Sequence, residues 1–207
     1  MTISATPRPA RSDLRGPTID PTTVPAAPYR AHGLVLSAGA VAWAASMLLY
    51  GANPSTSEGL AALGIGSGAF QIGLLALLRV LWRSQALGAG RLARGVLRVE
   101  CGAVWLAIGS TFVDAIGISD LSRPGWVALD AFWPLSMLGM FLIGIRIAVA
   151  GRWTGAARVW PLVAESWAVV VIPTLGILGR DVADVVAPLH LLVGYTVLGV
   201  LVSRKQG

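Results

Sequence analysis

Six apolar stretches of about twenty residues alternate along this chain with short polar connections. They run over residues 33–51, 60–81, 96–118, 126–148, 159–178 and 182–202. A helix rises about 1.5 Å per residue, so each stretch is close to the ~20 apolar residues that cross ~30 Å of hydrocarbon. The pattern predicts an all-α integral membrane protein, with a single six-transmembrane-helix bundle over residues 31–207. Residues 1–30 hold six of the twelve prolines with several serines and threonines and no apolar run, which predicts a disordered N-terminal tail and not a signal peptide.

The arginines orient the bundle. Fourteen of the sixteen basic residues precede the first stretch, lie around the second and fourth connections, or end the chain. The other connections hold only Arg123 and Arg180, beside Glu58, Asp120, Asp181 and Asp184. Basic residues in short loops stay on the cytoplasmic side, so both termini are expected there, in the cytoplasmic (inner) membrane. Arginine outnumbers lysine fifteen to one, a bias that points to a GC-rich bacterial genome. Trp82, Trp153 and Trp160 fall at the expected cytoplasmic boundary, Tyr50 and Trp126 at the opposite one, as interfacial aromatics do.

Composition agrees with the pattern. With 55% hydrophobic and 13% charged residues and a mean hydropathy of +0.72, the chain has too few charges to cover a water-soluble globule. The net charge of +6 does not form one basic patch, so nucleic acid is not an expected partner. The basic residues instead flank the apolar stretches and face the anionic headgroups of membrane lipids, each contributing about 1 kcal/mol near the surface. A further membrane protein is the other partner to expect. Cys101 is the only cysteine, so no intramolecular disulfide forms.

The remaining chemistry lies in ionisable residues within the stretches, where a charge is costly and is a functional candidate by default. Asp114, Asp130 and His190 belong to the outer halves of the third, fourth and sixth stretches. Three sharp readings of them compete: a proton relay or cation site, a divalent-metal site of one histidine and two carboxylates, and a set of catalytic acids. The plain alternative is hydrogen bonding that fixes helix register. Glu165 is deeper and surrounded by apolar residues. Alone it is a functional candidate, and against Arg98 or Arg146 it would be a structural ion pair. Glu100 reads as a boundary residue balancing nearby arginines.

Helical spacing puts Glu100, Ala103, Ala107, Thr111 and Asp114 on one face of the third helix. Asp130, Trp133, Pro134, Met137 and Phe141 share a face of the fourth, and His190, Gly194 and Val197 one of the sixth. Trp43, Trp105, Trp133 and Trp167 stand away from the interfaces. Trp105, Trp133, Trp167 and Met137 are candidate walls of a pocket for an apolar ligand, with core packing as the alternative. Gly64, Gly66, Ser67, Gly68 and Gly73 predict a close helix contact. No cofactor is implied. A bis-histidine haem is excluded by His32 and His190 lying in opposite halves, and the glycine-rich run lacks the Lys-Ser or Lys-Thr of a phosphate loop.

These features fit three function classes. The expected one is a small binding, accessory or sensory membrane component built around an Asp/Glu/His cluster. The alternatives are a proton-coupled transporter using Glu165, Asp114, Asp130 and His190, and a membrane-embedded enzyme in which the same acids act on a lipid.

Overall fold

The computed structural model describes residues 28–120 and 122–205; the expected tail falls outside these apart from its last three positions. Among the described residues the chain is helical and has no strand. Six helices are long and apolar enough to cross a membrane: α1 (Arg30–Tyr50), α2 (Ser57–Arg83), α3 (Arg91–Ala115), α4 (Pro124–Ala150), α5 (Ala156–Leu178) and α6 (Arg180–Ser203). They extend the apolar stretches mostly at their polar ends, because side chains such as Arg83 and Arg91 continue a helix as readily as leucine. The exception is the end of α3. Gly117, at φ +71°, takes a left-handed conformation open to glycine, and the helix stops at Ala115, before the expected 118.

Each helix packs on the next, and α6 returns to α1, so the six form a closed circle. The most extensive contact joins α1 and α2. A Cβ added at Gly39 would lie 2.8 Å from the Phe70 Cα, and one at Gly73 would lie 2.9 Å from the Leu36 Cα. The small residues of α2 thus make the expected close contact, but by different members. Gly66 and Gly73 face α1, Gly64 faces Ala115 of α3, and Gly68 faces open space. The circle closes where Gly33 of α1 meets Gly199 and Ser203 of α6 backbone to backbone.

Three helices are interrupted. In α4 the break falls at Ala131, between Pro124–Asp130 and Phe132–Ala150. Pro134 has no N–H to give the Asp130 carbonyl, which removes the bond that would carry the helix across. In α5 the break falls at Ser166, where the backbone N–H and the Oγ both donate to the Val163 carbonyl, at 3.4 and 2.7 Å. A serine that bonds back into the preceding turn bends a helix. In α6 a π-helical turn occupies Leu192–Thr196, just after Pro188. It turns Tyr195 toward α5.

The basic connections lie together at one end. Trp153, in the α4–α5 loop, donates from Nε1 to the Ser84 Oγ of the α2–α3 loop at 3.0 Å, and the Lys205 Nζ lies 5.5 Å from its ring centre. Trp153 is only 1% exposed. It therefore joins loops and is no interfacial anchor. Trp160 also points inward and donates to the Gly194 carbonyl at 2.9 Å. Trp82 remains partly exposed, with the Arg98 guanidinium 5.3 Å from its ring centre. At the opposite end Asp120 accepts from the Ser122 Oγ (2.6 Å) and backbone N–H (3.0 Å) and pairs with Arg123 at 3.1 Å. The Ser122 bonds hold its carboxyl below the usual range.

Candidate functional site

The middle of the circle is filled with aromatic rings, one from each of five helices. Trp43 of α1 lies 5.0 Å from Phe70 of α2, 5.9 Å from Trp133 of α4 and 5.6 Å from Trp167 of α5, centre to centre. Trp133 meets Trp167 edge-on at 5.9 Å, and Phe70 meets Tyr195 of α6 at 4.7 Å. Such edge-to-face and tilted pairs match the positive edge of one ring to the negative face of another. The helix without a ring in this cluster, α3, contributes a carboxyl. Glu100 is 5% exposed and lies against Gly139 of α4 so closely that a Cβ there would overlap its Oε2.

Glu165 sits beside the aromatic layer. It ends the first segment of α5, nine residues past Ala156 and so about 14 Å along the helix. It is 2% exposed. Tyr195 donates from its hydroxyl to Oε2 at 2.5 Å, and among the described residues Oε1 has no hydrogen-bond partner. The π-turn of α6 makes this contact possible, and the two helices are further joined by two indole N–H groups. Trp160 donates to the Gly194 carbonyl, and Trp167 to the Ala187 carbonyl at 3.0 Å. Short π-helical turns often mark functional sites, and this one delivers a phenol to a buried acid.

Glu165 also lines a cavity of about 360 Å³ between α4 and α5. Its walls are Trp133, Pro134, Met137 and Phe141 on one side and Ala168, Val169, Ile172 and Pro173 on the other. Toward the basic end α4 and α5 pack closely, as where Gly144 meets Leu162, whereas beyond Ser166 the two helices touch little. Leu138, Val169 and Ile172 at the rim are exposed on the outer surface, so the cavity opens sideways between the helices. Among the described residues, Glu165 is the only ionisable side chain lining it. A second cavity, of about 590 Å³, lies at the basic end between the Leu87–Gly90 loop, α3 and α4, with Arg146 in its wall.

The other sequence candidates are placed separately. Asp130 is exposed and accepts from the Ser110 Oγ of α3 at 3.3 Å. Asp114 is exposed in the last turn of α3, because that helix ends early. His190 is half-buried, and its Nε2 lies 3.2 Å from the Ser166 Oγ of α5. The expected meeting of Asp114, Asp130 and His190 does not occur. In a closed circle of six, α3 and α6 stand on opposite sides, which keeps His190 from Asp114, while Asp130 faces Ser110 of α3 and His190 faces Ser166 of α5. Among the described residues no three His, Cys, Asp or Glu groups come close enough to hold a metal ion.

Two further expectations need correction. Neither Glu100 nor Glu165 pairs with an arginine; among the described residues the ion pair is Arg123–Asp120. Glu100 is therefore no boundary residue but a buried one. Trp105 is 60% exposed and turns away from the cavity, since α3 uses Val104 and Ala107 for its inner face. Trp133 and Met137 line the cavity, whereas Trp167 stands behind it in the aromatic layer. Sequence reasoning passed over Tyr195. The available signal was a tyrosine eight residues inside the end of a span, far from the interface where tyrosine concentrates.

The chain matches no protein-family model, no curated protein and no solved structure.

Proposed function

We propose that the protein is a small multi-pass component of the cytoplasmic membrane, with both termini in the cytoplasm, that binds an apolar ligand from the bilayer. The observation that carries this reading is a buried carboxyl at the floor of an apolar crevice that opens sideways. A buried polar atom without a partner costs stability, and is retained where something else satisfies it. Glu165 Oε1 is such an atom, in a wall of aromatic and aliphatic side chains typical of small-molecule sites.

Orientation is supported by the gathering of Arg83, Arg91, Arg146, Arg152 and Lys205 at the end where the α2–α3 and α4–α5 loops meet. Anionic lipid headgroups are the expected neighbours of that end, with Arg146 beside the second cavity. The aromatic layer favours binding over transport, because Trp43, Trp133 and Trp167 fill the axis along which a polar pathway would run.

The test is access to the crevice from lipid. In protein carrying Cys101→Ser and reconstituted in bilayers, a cysteine at Ala168 should react readily with lipid-soluble N-phenylmaleimide. A cysteine at Ala187, which is buried inside the circle, should remain inert. Equal inertness at the two positions would mean a closed α4–α5 contact and would end this reading.

A further inference from the structure

We infer that the α4–α5 crevice selects a lipophilic amine, an apolar chain or single-ring body carrying one protonated nitrogen that docks on Glu165. The inference rests on the crevice being a binding site, as proposed above, and adds the chemical class of its ligand.

With Glu165 ionised, as a bound cation would hold it, the floor of the crevice offers acceptors without donors. Tyr195 has already given its hydroxyl hydrogen to Oε2, which leaves Oε1 as an unpartnered acceptor on a side chain only 2% exposed. One turn further along α5, the Val169 carbonyl lacks its usual donor, because Pro173 has no N–H. Val169 and Pro173 line the same cavity as Glu165. Backbone acceptors at membrane depth need partners from neighbouring groups or a ligand.

This asymmetry discriminates among ligands. A ketone, ester or ether brings only acceptors and would leave Oε1 unsatisfied. A carboxylate or phosphate would add a second negative group to an acidic floor. A hydroxyl donates once. An ammonium offers two or three N–H donors and carries the charge opposite to that of a carboxylate, and charge-assisted bonds are about twice as strong as neutral ones. Among the described residues no lysine or arginine lines the crevice to compete for Glu165. The Trp133 indole in the wall adds attraction for a cation held near its face. A volume of about 360 Å³ is at the lower end of small-molecule sites, suited to one short chain or ring system and not to a two-chain phospholipid.

The experiment compares dodecylamine, 1-dodecanol and dodecanoic acid for binding to the full-length protein in lipid nanodiscs. Binding is read by the change in tryptophan fluorescence with empty discs subtracted. The amine should bind about tenfold more tightly than the alcohol, and the acid least. Glu165→Gln keeps an acceptor for Tyr195 and should erase the preference for the amine while leaving the alcohol little changed. Ala168→Phe fills the crevice and should abolish binding of both. If amine and alcohol bind equally to the wild-type protein and Ala168→Phe blocks both, the site stands and the amine assignment falls. If no probe binds, or Ala168→Phe changes nothing, the crevice itself is not the site. Should Glu165→Gln fail to fold, the amine–alcohol ratio of the wild type and the Ala168→Phe control still decide.

Discussion

Glu165 and Tyr195 show how one contact can organise a helix junction. The phenol satisfies one carboxylate oxygen and simultaneously packs edge-on against Phe70, so a single side chain links α2, α5 and α6. Removing only the hydroxyl in Tyr195→Phe should lower stability by about 1–3 kcal/mol, the usual cost of leaving a buried acceptor unpaired. Thermal unfolding of the purified variant measures this; an unchanged midpoint would mean that the bond contributes nothing. Trp105→Ala is the contrasting case. That ring is exposed on the outer surface, so the substitution should leave the midpoint unchanged, whereas Trp133→Ala removes a half-buried ring packed on Trp43 and Trp167 and should lower stability by about 3 kcal/mol, the low end for a truncated aromatic.

The sequence made Glu165 legible because a carboxyl among Leu162, Val163, Trp167 and Ala168 has no polar surface to belong to. Asp114 and His190 carry equally conspicuous side chains, yet their neighbours depend on which helices adjoin. Periodicity says which face a residue occupies on its own helix and nothing about the helix opposite. Tyr195 was obscured for a related reason. Its orientation depends on the π-turn, which shifts the register of α6 by a fraction of a turn that an ideal 3.6-residue period does not contain.

At the scale of elements, glycines decide how near the helices come. Where lipid replaces water, helices gain little by hiding apolar surface from one another, and close backbone contact matters more. Gly39→Ala would place a methyl group 2.8 Å from the Phe70 Cα, which cannot move without shifting α2. It should destabilise the protein by about 1–3 kcal/mol, as overpacking does. Gly68→Ala, with nothing near its added carbon, should be neutral or slightly stabilising because alanine favours helix. Thermal unfolding of the pair tests the packing; equal midpoints would contradict it. The small-residue run in α2 identified a contact surface from sequence, but the division of that run between α1, α3 and open space required the packing itself.

Helix breaks were partly legible. Pro134, Pro173 and Pro188 each lie in one of the three interrupted helices, and the interruption at Ala131 follows from the first of these. The break at Ser166 has no proline beside it. It arises from the serine bonding the Val163 carbonyl, a choice that an isolated serine in a helical run does not announce.

At the scale of the whole molecule, the alternation of apolar stretches and connections predicted the number of helices, and their closure into a circle follows from short connections plus the α6–α1 glycine contact. That closure puts Glu100 and Glu165 inside, gathers the basic residues at one end and leaves a seam between the parts of α4 and α5 away from that end. The functional account needs this circle to stand upright in a bilayer, basic end toward the cytoplasm, because only then does the seam face acyl chains with Glu165 at membrane depth. Single cysteines placed in Cys101→Ser protein at Gln85, in the α2–α3 loop, and at Ser119, in the α3–α4 loop, test that placement in intact cells. A membrane-impermeant maleimide should label the Ser119 position from outside and reach the Gln85 position only after the membrane is opened; labelling of Gln85 in intact cells, or protection of Ser119, would contradict the account.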